Sequence, residues 1–282
     1  MVRFERPQSL EEALGLLQNQ QWQVLAGGTD IYPAIGSKLH EYDVLDISRL
    51  SEIKGITLNK KGCRIGALTT WREIWQAQLP PAFYALQQAA REVGSIQIQN
   101  SATIAGNLCN ASPAADGVPP LMVLDAQIEL TSLNGTRHLP ISEFILGNRQ
   151  TALNEGEIVS AIIIPNQSLL GKSHFSKLGA RRYLVISIAM VAVRLIMNDN
   201  RIRGLAVSVG SCSVVARRLK ALELALVGKS LSELDELAWG DDFFVDISPI
   251  DDVRATKKYR KDAIKPLIIR AIRAAAQEES KL

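Results

Sequence analysis

Cysteine and histidine are both scarce in this 282-residue chain, three of each, and the scarcity excludes several kinds of chemistry. Cys63, Cys109 and Cys212 are odd in number and far apart, so they form neither a disulfide framework nor a C-x-x-C metal or cluster motif. A reducing, cytoplasmic location is the expectation. His40, His138 and His174 are too scattered for a local metal motif, and neither H-E-x-x-H nor G-x-S-x-G occurs, so no metal site and no catalytic triad is expected. Long apolar runs are missing too: the longest, 184–193, falls short of the roughly 20 residues that span a bilayer. The opening residues Arg3, Glu5 and Arg6 have no apolar stretch behind them, so no signal peptide is expected. Nor does charge of one sign dominate, since 32 Lys and Arg against 29 Asp and Glu leave +3. These charges are mixed along most of the sequence, which argues against a nucleic-acid partner. No G-x-G-x-x-G is present. The Gly-Lys-Ser tripeptides at Gly171 and Gly228 carry Asn166 and Glu223 where a P-loop has its first glycine, so neither a Rossmann site nor a P-loop is signalled.

What is there reads as an α+β chain of two domains, each long enough at roughly 150 residues to bury a core. Ser9 with Glu12 makes a capping box ahead of Leu10, Ala13, Leu14 and Leu17, whose spacing predicts an amphipathic helix. Val24, Leu25 and Ala26 predict a strand that stops at Gly27-Gly28. Short apolar runs at 44–47, 55–58, 64–68, 127–133 and 158–164 predict further strands of a mixed or antiparallel sheet. Helices are predicted over 71–78 and 81–93, with Trp71 and Trp75 one turn apart as packing residues. Residues 165–172 are the linker candidate. Beyond them, β-rich segments at 185–197 and 201–209 flank Asn198-Asp199-Asn200, which has hairpin chemistry, and helices over 216–227 and 263–276 follow. The basic run from Lys257 to Lys261 reads first as a solvated helix start and second as a docking patch.

Two segments carry the chemistry. Ala26-Gly27-Gly28-Thr29-Asp30 follows directly on a strand, and paired glycines let a backbone take up positive φ and turn several N–H groups toward one point, as a nest around a pyrophosphate does. Thr29 adds a hydroxyl donor. Asp30, repelled by phosphate, is read as capping the loop's own N–H groups or reaching a ribose hydroxyl. A plain tight turn is the competing reading. The second segment, T-I-A-G-N-L-C-N-A-S-P-A-A-D from Thr103 to Asp116, is polar and small-residued. It predicts a long loop without elements of its own, with ligand contact favoured over a structural Ω-loop. Thr103, Asn107 and Ser112 offer hydroxyl and amide groups, Gly106 allows close backbone approach, and Cys109 reads as a small buried thiol.

To these segments the sequence adds F-x-R-P-x-S-L-x-E-A from Phe4, G-A-L-T-T at Gly66 to Thr70, and D-D-x-R at Asp251 to Arg254 followed by Tyr259-Arg260. In that order and spacing the set resembles the FAD-binding medium subunits and domains of the molybdenum hydroxylases, the family of xanthine dehydrogenase and carbon monoxide dehydrogenase. The likeness covers essentially the whole chain. It implies a PCMH-type (vanillyl-alcohol-oxidase-like) FAD domain of two α+β subdomains over 1–170, with the cofactor between them. An α+β C-terminal domain of the CO dehydrogenase flavoprotein type is implied over 173–282.

The resemblance also implies which residues would touch FAD. Val24, Leu25, Ala26, Gly27, Gly28, Thr29, Asp30 and Ile31 would run along the pyrophosphate, with further backbone contacts from Thr103, Ile104, Gly106 and Asn107. Ser112, Pro113, Ala114, Ala115 and Asp116 would hold the phosphate and ribose region, and Asp125 the adenosine end. Val159 and Lys177 would lie near the cofactor, Lys177 as a cation beside the isoalloxazine that favours the reduced flavin. Two residues depart from the family pattern. Ala105 stands where most relatives carry the first glycine of T-I-G-G-N, and Gln99 stands where an arginine is usual, so that charge contact is missing.

No catalytic residue and no cluster ligand is implied on this chain. The implied function is an electron-transfer subunit of a heterotrimer, partnered by a molybdopterin-binding large subunit and a small subunit with two [2Fe–2S] clusters. It would pass electrons to NAD⁺ or another acceptor. Two rivals stand beside it: a stand-alone PCMH-fold flavin oxidoreductase, which needs its own acid or base, and a cofactor-less assembly subunit, against which Gly27-Gly28 and Ser112-Pro113 count.

Overall fold

The computed structural model describes residues 2–18, 20–36 and 41–277; His40 lies outside the described residues. The first helix, Leu10–Gln18, buries Ala13, Leu14 and Leu17. Its start is capped as the sequence predicts, with the Ser9 hydroxyl accepting the Glu12 N–H at 3.2 Å and the Glu12 carboxylate reaching back to the Gln8 N–H at 2.7 Å. Its buried residues share the main core with Leu45 of a small parallel sheet in which Val44–Asp46 is the central strand, with Phe4–Glu5 on one side and Gln23–Leu25 on the other. A second sheet is wholly antiparallel, in the order Ile56–Asn59, Gly62–Gly66, Ile158–Pro165, Gln127–Ser132 and Gly135–Pro140. Its inward side chains, among them Ile65, Ile128, Leu130, Ile162 and Ile164, join one core with Leu45 and Trp71.

A four-stranded antiparallel sheet follows, in the order Lys172–Leu178, Ala189–Asn198, Arg201–Gly210 and Arg217–Arg218. The two ten-residue strands turn at Asp199 and Asn200, both at positive φ (47° and 58°), the conformation a two-residue hairpin requires and Asn and Asp tolerate. Alternation along the Ala189–Asn198 strand then decides the architecture, because successive side chains point to opposite faces. Ala189, Val191, Val193 and Leu195 face the last helix, Lys257–Gln277, and meet Ile264, Leu267, Ile268, Ala271 and Ile272. Met190 and Ala192, with Phe175 and Ala206, face the other way onto Ala85, Ala89 and Val123 of the first part of the chain. The sheet is therefore buried on both faces, and the small side chains of the Tyr84–Glu92 helix let it approach closely. Each large apolar side chain closed into this seam contributes about 1.5–3 kcal/mol.

Some expectations need correction. Within the linker candidate 165–172, Asn166–Leu169 is a 3₁₀ turn whose Ser168 is fully buried. The 185–197 strand starts only at Ala189, and the final helix starts earlier, at Lys257. Trp71 is 1% exposed, as a packing residue should be. The lysines at the start of the last helix lie in solvated ion pairs, Lys257 with Asp251, Lys258 with Asp262 and Lys261 with Asp241. Among the described residues no helix is long and apolar enough to cross a membrane.

Candidate cofactor site

The Gln23–Leu25 strand is the edge of its sheet, and its pairing ends where the Ile47 N–H donates to Leu25 O at 2.9 Å. The chain then turns through Ala26 to Asp30 into a short helix, Ile31–Ile35, that the sequence did not announce. The two glycines do different things there. Gly28 takes the positive φ, 73°. Gly27 does not; a Cβ on it would lie 2.0 Å from the Ser101 carbonyl oxygen, so its lack of a side chain serves close approach. The Tyr32, Ala34 and Gly36 N–H groups turn back, to Gly28 O, Asp30 O and Tyr32 O. Among the described residues no acceptor takes the N–H of Gly27, Gly28, Thr29, Asp30 or Ile31. Successive unpaired donors at a glycine turn leading into a helix are suited to an anion. Asp30 does not cap them, against the first of its two readings: its Oδ1 accepts instead from Asn110 Nδ2 at 3.1 Å. Burial pushes the Asp30 carboxyl above its ordinary value, and Arg149 opposes this.

The second segment is not a structureless loop. Thr103 is the N-cap of a helix, Ile104–Asn110, its Oγ1 accepting the Gly106 N–H at 3.1 Å. The Ile104 and Ala105 N–H groups donate to Thr69 O and Ala67 O, which ties the helix to G-A-L-T-T. Ala105, the departure from glycine, packs into the main core with 7% exposed. Gln99, the other departure, donates through Nε2 to Arg91 O. The helix ends at Ala111, itself at φ 47°, and Ser112 then forms a tight turn in which its Oγ accepts the Ala114 N–H at 3.2 Å. Cys109 is exposed, not buried as expected. Asn107 Oδ1 is buried with no partner among the described residues, facing the space that Gly117 leaves open.

The two segments meet. Gly27 abuts Ser101 just ahead of the Thr103 cap, and Asn110 bridges from Asp30 to Arg149 Nη1. Asp116 and Lys177, distant in sequence, form a buried ion pair of 2.6 Å, and the Ser187 hydroxyl holds the other Asp116 oxygen at 2.6 Å. Burial pushes the Asp116 carboxyl above its ordinary value, and Lys177 and Ser187 oppose the rise.

Comparison with known proteins gives the family. The profile of the FAD binding domain in molybdopterin dehydrogenase matches residues 1–167, and that of the CO dehydrogenase flavoprotein C-terminal domain matches residues 174–275. The chain belongs to this family of FAD-binding dehydrogenase subunits. The glyceraldehyde dehydrogenase medium chain of Sulfolobus acidocaldarius is 30% identical over 97% of this chain and 98% of its own length. The nicotinate dehydrogenase FAD-subunit of Eubacterium barkeri is 35% identical over 81% of this chain and 80% of its own. Among solved structures, the cyanide-inactivated form of Cu,Mo-CO dehydrogenase contains a chain that matches with a TM-score of 0.86 at 25% identity, covering 98% of both chains.

The cofactor of this oxidoreductase subunit is FAD, and the residues present suit it. A diphosphate would meet unpaired donors at Gly27 to Ile31, presented by the positive φ of Gly28, and the orphaned Asn107 oxygen is an acceptor awaiting a donor. Not every residue carried over from the family sits alike. Val159 is 3% exposed within the core, beside the bulge between Val159 and Ala161. Asp125, at φ 51°, is engaged by Ser168, Arg194 and Arg218. Sequence reasoning missed Asn110, Arg149 and Ser187. Asn110 stood inside the polar segment that had been noticed; the only trace of Ser187 was a lone hydroxyl in the apolar run 184–193.

Proposed function

We propose that this subunit is the electron exit of a molybdopterin-containing hydroxylase or dehydrogenase. It receives electrons from a partner with two [2Fe–2S] clusters and delivers them to NAD⁺ or another acceptor, while substrate is oxidised on a molybdopterin-binding large subunit. Medium-chain relatives such as the carbon monoxide dehydrogenase medium chain of Hydrogenophaga pseudoflava, 27% identical over 97% of this chain, support the three-part assembly. FAD, when bound, supplies transfer of electrons singly or in pairs, which suits a relay between one-electron and two-electron partners.

The observation that carries the reading is the run of unpaired N–H groups from Gly27 to Ile31 beside the Thr103-capped helix. In this reading Val24 to Ile31 hold the diphosphate, Thr103, Ile104, Gly106 and Asn107 close over it, and Ser112 to Asp116 take the phosphate and ribose region. Asp125, with 41% of its side chain exposed, keeps an edge toward the adenosine end. Val159 backs the cofactor from the core. Lys177 stands beside the isoalloxazine, where its charge favours the reduced flavin. The division into domains over 1–170 and 173–282 belongs to the same proposal.

FAD titration of Gly28→Val tests the loop. At φ 73° a β-branched residue is strained, and its Cβ falls 2.5 Å from the Tyr32 ring. Displacing the loop removes charge-assisted N–H contacts worth about 1.5–3 kcal/mol each, so FAD binding weakens at least about ten- to a hundredfold. A folded variant that keeps full FAD affinity sinks the assignment. For the partners, the test is purification of the native complex with its molybdenum, iron and acid-labile sulfide measured.

A further inference from the structure

The Lys172–Leu178 and Ala189–Asn198 strands pair out to Leu178 opposite Ala189, and the connection between them, 179–188, leaves the sheet and returns. Lys177 stands at one foot of that connection and Ser187 at the other. Both reach the same carboxylate on the first part of the chain, Lys177 Nζ at Asp116 Oδ2 and Ser187 Oγ at Asp116 Oδ1. The three side chains form a closed unit: Ser187 is 1% exposed, and the side chains of Lys177 and Asp116 are 8% and 9% exposed.

The Ser187 hydroxyl is not needed to hold the backbone at this point. The neighbouring Ile188 N–H donates to Leu178 O at 2.8 Å, and the Ile188 carbonyl accepts from the buried Arg260 Nη1. Position 187 is thus fixed from next door. What the hydroxyl decides is how Asp116 is shared. A carboxylate gripped at both oxygens is held in one orientation, whereas one that has lost its Oδ1 partner turns toward the remaining cation and neutralises it more fully.

We propose that Ser187 is a positioning residue of the flavin site: by holding Asp116 Oδ1 it limits how strongly Asp116 draws on Lys177, and so keeps the Lys177 charge directed at the cofactor. The inference rests on the reading that Lys177 lies beside the isoalloxazine, and the experiment separates the two. It compares the full chain, loaded with FAD, with Ser187→Ala, Ser187→Thr, Ser187→Cys and Lys177→Met. The measurements are FAD affinity, thermal midpoint and the two-electron midpoint potential of the bound flavin.

Ser187→Ala is expected to bind FAD at 1:1 and to lose about tenfold in its preference for reduced over oxidised flavin, a fall of about 30 mV for a two-electron couple. Ser187→Thr, which keeps the hydroxyl, restores the wild-type potential. Lys177→Met moves the potential further in the same direction. If Lys177→Met lowers the potential while Ser187→Ala leaves it unchanged, the role of Ser187 is overturned and the placement of Lys177 stands. If neither variant moves it, the placement of Lys177 fails and the inference falls with it. Equal falls in the Ala and Thr variants show a packing effect and overturn positioning. Should the Ala variant not fold, Ser187→Cys, close in size but a weak donor, is expected to show the same fall; an unchanged potential there is equally fatal.

Discussion

Asp116 and Asp125 both reach from the first part of the chain to the C-terminal sheet, Asp116 into a closed pocket and Asp125 into a half-open seam. Asp116 meets one ammonium and one hydroxyl, Lys177 and Ser187. Asp125 meets two guanidiniums and a hydroxyl, those of Arg218, Arg194 and Ser168, all within 2.9 Å. The arginines of the seam are themselves used twice. Arg194 donates to Val123 O and Arg218 to Met122 O, capping carbonyls at the end of the Val118–Val123 helix, and Arg218 also grips Glu223. Burial works against the Asp125 charge, yet Ser168 and the two arginines hold its carboxyl below its ordinary value. At Asp116 burial prevails over a single cation, and the carboxyl sits above it. Oversupplied with donors, Asp125 is a clasp between the first part of the chain and the C-terminal sheet. Undersupplied, Asp116 can respond to what lies beside it.

That difference can be broken experimentally, and the largest effect belongs to the pocket. Asp116→Ala leaves a buried ammonium without its counter-charge, a loss of about 3–5 kcal/mol for a fully buried pair. The stabilisation conferred by saturating FAD, measured as the rise in thermal midpoint, is expected to change with it if Lys177 stands beside the cofactor as proposed. Asp125→Ala is expected to cost less, about 2 kcal/mol, because 41% of that side chain is open to water and the arginines keep Glu223 and two carbonyls. At this chain length that is a fall of several degrees. Here the FAD-induced rise is expected to change by less than in Asp116→Ala, because only the exposed edge of Asp125 turns toward the adenosine end in the proposed site. Were Asp125→Ala to abolish that rise while the protein stayed folded, the seam would bear on FAD as strongly as the pocket and the contrast would be lost.

Why one carboxylate could be read from sequence and its setting could not follows from local against tertiary causes. The Ser9 cap, the strand stopping at Gly27-Gly28, the β-rich stretch that holds Ala189–Asn198 and the Asp199-Asn200 turn are all local, and all were legible. The Ile104–Asn110 helix was not, because Gly106, Asn107 and Asn110 are poor helix formers. Its causes lie elsewhere in the chain: Ile104 and Leu108 are fully buried, and Thr69 and Ala67 accept its first N–H groups. The Val118–Val123 helix hid behind Pro119 and Pro120, which a first turn accepts because those N–H groups have no helical partner. The glycine loop was visible as a loop, but the separate tasks of Gly27 and Gly28 appear only once Ser101 is set against it. Ser187 is the extreme case, since nothing in its neighbourhood in sequence refers to Asp116.

The smallest expected effect sharpens the contrast from behind, where D-D-x-R and Tyr259-Arg260 do structural work. Asp252 accepts the N–H groups of Arg254 and Ala255 at 2.8 and 3.1 Å and Arg260 Nη2 at 2.7 Å. Arg260 in turn donates to Ile188 O and to Ser211 O, and the Ser211 N–H donates to Pro113 O, so this motif backs both Ser187 and the Ser112 turn. Burial opposes the Asp252 charge, but the two N–H groups and the Arg260 guanidinium outweigh it and bring the carboxyl down to about 2. An unfolded Asp takes up its proton near pH 4. The stability this charge contributes is therefore complete above about pH 4 and lost as pH falls from there to about 2. Asp252→Asn keeps an acceptor for the N–H groups and removes that charge together with the oxygen that accepts from Arg254 Nη1 at 2.8 Å. Urea midpoints at pH 7, 4, 3 and 2 should show a modest deficit in the variant that is constant from pH 7 to 4 and closes by pH 2. FAD affinity at pH 7 should stay unchanged. A deficit that persists at pH 2 would mean that Asp252 acts by shape and not by charge, and a drop in FAD affinity would mean that the backing transmits to the pocket, making Asp116 responsive to the C-terminal domain as well as to the cofactor.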